Sequence, residues 1–161
     1  MLIKACGALT LLIITVYLCY EATRMEIKRV RQAEGFLMLL RHIRSQISCF
    51  CTPLGDIFSA YENSALEEIG FLSVMRERGF SAAIDECRGN ILLSCDEIGF
   101  LCSFGEEIGK SYREEELECC DYYISLLEDS YARSRADQPR RSRLFRSVLL
   151  TGGLMLIIVF I

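Results

Sequence analysis

The chain has 161 residues, 52% of them hydrophobic, with nine cysteines, a single histidine and a formal net charge of −4. Its charge is uneven. Ser45–Ala132 has only Arg76, Arg78, Arg88, Lys110 and Arg113 as basic groups among many carboxylates. That balance excludes the basic footprint a nucleic-acid partner needs. The length leaves room for one compact domain once the apolar ends are set aside.

The first element, residues 1–20, is apolar apart from Lys4 and is followed by Arg24, Lys28, Arg29 and Arg31. About 20 helical residues cross a bilayer core, so the segment predicts a transmembrane helix with Lys4 snorkelling outward. A cleaved signal peptide is the alternative, but no small-x-small site follows the apolar run. The basic flank places the following body, 21–143, on the cytoplasmic side. Thiols stay reduced there, so disulfides are not expected. Cys49 and Cys51 are spaced C-x-C, Cys119 and Cys120 are adjacent, and His42 is the only histidine. This matches no standard zinc spacing, and buried free thiols are the better account. No metal or cofactor is expected.

Ile27, Val30, Leu37, Leu40, Ile47 and Phe50 recur at helical spacing and predict a long first helix continuing from the apolar start. It should break at Cys49–Thr52, with Thr52 as N-cap and Pro53 as the first residue of a second helix. A third helix is predicted over 64–78, stopped by Gly79. A short fourth should open at Ser81 and end near Gly89. Two capping boxes follow, Ser94 with Glu97 and Ser111 with Glu114. The first precedes Ile98, Leu101, Cys102 and Ile108. The second precedes Leu117, Cys120, Ile124, Leu127 and Tyr131, a three-four seam made for packing on another helix. No useful strand alternation occurs. The fold class is therefore all-α, an antiparallel bundle of about six helices with a transmembrane helix at either end.

Gly105 and Gly109 lie a turn apart. Gly109 reads as the cap before Ser111, whereas Gly105, inside a helix, predicts close approach of another backbone. His42 has no obvious catalytic partner, and Glu106, Glu107, Glu114, Glu115 and Glu116 lack the histidines of a di-metal site. These five carboxylates are instead partner-binding candidates on an acidic surface, with an ordinary solvated face as the alternative. The last element, 144–161, is uncharged from Ser147 and follows Arg140, Arg141, Arg143 and Arg146. Its uncharged part spans only about 22 Å at 1.5 Å per residue, so a membrane helix must begin near Leu144. Arg24, Lys28, Arg29 and the four C-terminal arginines are expected at the surface of an anionic leaflet.

The hydrophobic start with Glu21, the turn Ile47–Leu54 around Thr52 and Pro53, the stretch Phe104–Lys110 with both glycines, and Gly152, Gly153 and Leu154 together resemble the stage III sporulation protein AB family. The resemblance runs end to end in order and length. Two departures are Gln46 and Tyr112, where the family pattern has carboxylates. Such proteins are similar to the inner-membrane F protein of type II secretion systems, whose cytoplasmic domains are six-helix bundles. The resemblance implies a non-enzymatic platform in the complex joining mother cell and forespore during endospore formation. Its cytoplasmic body would sit on the mother-cell side. The implied partners are a secretion-type ATPase (sporulation protein AA), sibling membrane and channel subunits, and lipid; homo-oligomerisation stays open. The rival expectation is a doubly anchored adaptor or regulator with another cytoplasmic partner, and an enzyme is a distant third.

Overall fold

The structure, a computed structural model, describes residues 2–50 and 52–133. The chain divides into two units, one of Met1–Ile27 with Arg133–Ile161 and the other Lys28–Ala132. Among the described residues it is helical without strands, and seven helices follow one another. They are α1 (Leu2–Phe50), α2 (Leu54–Ala60), α3 (Ser64–Glu68), α4 (Phe71–Arg78), α5 (Phe80–Cys87), α6 (Cys95–Glu107) and α7 (113–133).

In the first unit, Leu2–Ile27 is helical, with Ile13, Ile14, Val16, Tyr17 and Tyr20 exposed. Among the described residues no helix is long and apolar enough to cross a membrane. Many side chains before Tyr20 lie outside the described set, as does the whole expected span 144–161.

The second unit has the apolar core. One face of α1 supplies Ala33, Phe36, Leu37, Leu40, Ile43 and Ile47, and α7 supplies Cys120, Tyr123, Ile124 and Leu127. Burial of such side chains is worth about 1.5–3 kcal/mol each for the larger ones. A run of rings threads the core: Phe36–Phe71 at 4.9 Å, Phe71–Phe80 at 5.5 Å, Phe80–Phe104 at 5.2 Å and Phe104–Tyr123 at 5.7 Å, all edge to face. That geometry sets each ring's positive edge against the next ring's negative face. The seam predicted on α7 is the one buried. Three residues of the pattern predicted on α1 are outside the core: Val30 is half-buried, Ile27 is 55% exposed and Phe50 is 71% exposed. They lie at or beyond the ends of α1's packed stretch, where periodicity continues but no facing element remains.

Local signals set several helix ends. Ser94 and Glu97 form the capping box, and α1 stops at Phe50. Gly79 adopts φ 89°, its N–H bonds the Met75 carbonyl at 3.0 Å, and α5 begins at the next residue. The fourth predicted helix therefore starts at Phe80 rather than Ser81, with Gly79 itself as N-cap. The helix expected over 64–78 is two helices. Gly70, at φ 79°, separates them, a conformation that suits a residue without Cβ. Asn63 caps α3 by accepting from the N–H groups of Ala65 and Leu66 at 3.0 and 3.3 Å.

The start of α2 lies one residue later than expected. Pro53, with extended ψ 142°, is the N-cap, and its carbonyl receives the Asp56 and Ile57 N–H groups at 3.0 and 3.2 Å. Thr52 is not the cap; its hydroxyl meets Gln46 Oε1 at 3.5 Å. The start of α7 shifts likewise. The Tyr112 carbonyl accepts the Glu116 N–H at 2.9 Å, so Tyr112 holds the cap position expected of Ser111.

Candidate partner interface

Two stretches far apart in sequence meet at the end of the bundle where α1 stops. Arg113, at the start of α7, donates its Nε to the Ile47 carbonyl at 3.2 Å and a terminal nitrogen to that of Ser48. Terminal carbonyls of a helix lack partners within it, so the guanidinium closes α1's last turn. On the other side, α6 ends with the Ile108 N–H on the Phe104 carbonyl at 2.9 Å, followed by Gly109 at φ 83°. A Cβ on Gly109 would stand 2.7 Å from Leu54 Cδ1. Gly109 is thus both the predicted helix stop and a seat for the first residue of α2. One turn back, a Cβ on Gly105 would meet Phe80 Cδ1 at 2.8 Å and Ser81 Oγ at 2.9 Å. The close approach expected at Gly105 is made by the start of α5.

This end also carries the exposed groups. Glu106, Glu114 and Glu115 are in water, Glu116 is half-buried, and Tyr112 and Phe50 are 86% and 71% exposed. Glu107 differs. It accepts the Tyr123 hydroxyl at 3.0 Å and lies 3.6 Å from Cys119 Sγ. Burial, then this carboxylate, pushes Tyr123 up to about 12, and the same causes push Cys119 up to about 11. Burial leads again in raising Cys120 to about 12. These two thiols stay protonated at neutral pH and offer no thiolate for catalysis.

Of the cations expected at a lipid surface, Arg24 is exposed and Lys28 lies 3.7 Å from Glu68. Arg29 turns toward Glu97 at 3.5 Å. Arg140, Arg141, Arg143 and Arg146 lie outside the described residues. Two further arginines of α1 meet α7. Arg41 pairs with Glu128 at 2.5 Å, and Arg44 reaches Asp121 with one of its nitrogens at 2.8 Å. The Arg44 guanidinium bonded to Asp121 holds that carboxyl below its usual range. His42 packs on Tyr61, ring centres 5.1 Å apart.

Glu97 carries a tertiary role that its sequence position did not reveal. Its capping spacing was legible, but its contacts with α1 and α7 had no local signal. It is only 2% exposed and receives the Ser94 N–H at 2.7 Å and the Ser130 hydroxyl at 2.9 Å. Burial opposes ionisation of its carboxyl. The bonds from Ser94 and Ser130 and the charge of Arg29 outweigh burial and hold it below the usual carboxylate range.

Among the described residues no group of three or more His, Cys, Asp and Glu side chains is placed to hold a metal ion. At this end of the described bundle, exposed carboxylates stand beside the exposed rings of Tyr112 and Phe50. The family model described as stage III sporulation protein AB matches residues 4–161. No curated protein and no solved structure matches the chain.

Proposed function

The chain belongs to the stage III sporulation protein AB family, and from that membership we propose that it is a membrane-anchored platform subunit docking a secretion-type ATPase. The family is one of sporulation assembly proteins, not a known enzyme family. The observation that carries the docking reading is the meeting of Ile47–Leu54 with Phe104–Lys110 at one end of the body. The two motifs that carry the family resemblance there frame exposed Glu106, Glu114 and Glu115. Clustered carboxylates steer a basic partner and set its register more than they add raw affinity.

A second observation supports anchoring at both ends. Arg29 and Ser130 both bond Glu97, so the chain enters and leaves the body at neighbouring points. Two anchors in one membrane are compatible with that arrangement. The work of such a subunit is mechanical: it holds an ATP-driven partner in register with membrane components.

Full-length protein in detergent, titrated with the purified ATPase at low salt, tests the reading. Binding should be saturable, weaken with salt, and drop at least about tenfold when Glu106, Glu114 and Glu115 are changed to Lys. Equal affinity of the triple variant would remove the acidic end as the docking surface. Failure of the wild-type protein to bind the ATPase while it captures another cytoplasmic protein would favour the adaptor reading.

A further inference from the structure

Gln32 and Glu97 are the buried polar side chains of the described body, 6% and 2% exposed, and they occupy the same region. Gln32, on α1, accepts the Leu92 N–H at 2.7 Å and donates to the Asn90 carbonyl at 3.2 Å. It thereby holds the α5–α6 connection as a backbone partner would. Glu97, at the start of α6, joins Ser94, Arg29 of α1 and Ser130 of α7. The Tyr131 hydroxyl donates to Glu34, again tying α7 to α1. No buried side-chain polar atom among the described residues lacks a partner.

Apolar packing would bring these segments together without desolvating a charge. A hydrogen-bonded network instead demands one geometry, and its members lose most when a single partner is removed. Its position gives that demand a purpose. Arg29–Glu34 is where the chain enters the body, and Ser130–Tyr131 is where it leaves.

We propose that this network is a joint fixing the separation of the chain's entry and exit, and that ionised Glu97 closes it. Among the described residues, the groups whose hydrogen bonds or charge act on Glu97 are Arg29 of α1, Ser94 at the start of α6 and Ser130 of α7. At neutral pH the carboxylate is charged and the joint closed. Because the folded group titrates low, its stabilisation is complete above the ordinary glutamate range and disappears as pH falls through the lowered value. Removing the charge frees the last turns of α7 and the 90–94 connection together. The ring-lined core stays closed.

Hydrogen–deuterium exchange on full-length protein in detergent micelles at pH 7 tests this, comparing wild type with Glu97→Gln, Ser130→Ala and Leu72→Ala. Leu72 is fully buried and reports what general loosening looks like. In Glu97→Gln, exchange over 90–94 and 126–133 should rise about tenfold or more, the loss of a bond to a charged group. Residues 71–84 should keep wild-type rates. Ser130→Ala should raise exchange over 126–133 by a smaller factor. Wild-type rates over both segments in Glu97→Gln, or a rise spread evenly as in Leu72→Ala, would overturn the joint. Should Glu97→Gln fail to fold, the local or general pattern of Ser130→Ala decides in the same way.

Discussion

The two ends of the body treat polar groups in opposite ways. Around Glu97, charge and amide are buried and every bond is made within the chain. Around the α6–α7 turn, Glu106, Glu114 and Glu115 are left in water, and closeness comes from glycine instead. The first arrangement fixes one geometry at the expense of desolvation. The second keeps charge available while Gly105 and Gly109 let α5 and α2 press against α6. A buried network suits a place where the chain must not shift. An open acidic surface suits a place where something else arrives.

The contrast can be broken most severely at the joint. Glu97→Ala leaves the Ser94 N–H, the Ser130 hydroxyl and Arg29 without their acceptor, and should lower unfolding free energy by about 3 kcal/mol; urea denaturation checks it. Gly105→Leu should follow at about 2 kcal/mol, because its side chain must displace Phe80 and Ser81. A melting temperature unchanged within error would leave Gly105 without a packing role. The pH dependence then sharpens the difference. The stability advantage of wild type over Glu97→Gln should be full near neutrality and shrink as pH falls below the usual glutamate range, the direction set by its lowered pKa. An advantage that grew on acidification would contradict the network. The smallest effect belongs to the acidic end. Glu106, Glu114 and Glu115 changed to Lys should leave stability within about 0.5 kcal/mol, measurable by the same denaturation, while docking is lost.

Much of this plan was legible where the signal is local. Ser94 with Glu97, the stops at Gly79 and Gly109, and the apolar seam of α7 each depend on residues within a few positions of one another. Gly70 was missed because 64–78 is apolar enough to read as one helix, and only its left-handed backbone reveals the break. Pro53 and Tyr112 moved two helix starts by one residue, since capping fixes a boundary no better than its neighbours' φ and ψ allow. Gly35 gave no signal at all. It lies within α1, and only Asn63 and Leu66 packed on it, with Asn63 Oδ1 3.1 Å from where its Cβ would stand, explain it. Arg29 illustrates the limit in the candidate sites. A basic residue beside an apolar segment suggests lipid, yet its carboxylate partner is 68 positions away in the sequence.

The run of edge-to-face rings has a consequence for how the body assembles. Phe71 and Phe80 are close in sequence, on helices joined through Gly79. Phe36, Phe104 and Tyr123 attach from progressively different parts of the chain. Short loops close more readily than long ones. On that ground the α4–α5 pair should form first, with α1 and α7 added afterwards. Truncating Phe71 or Phe80 should slow refolding, whereas weakening Tyr123 should mainly hasten unfolding. Tyr123, at the end of this run, also bonds Glu107, so the same ring ties the acidic end to the core.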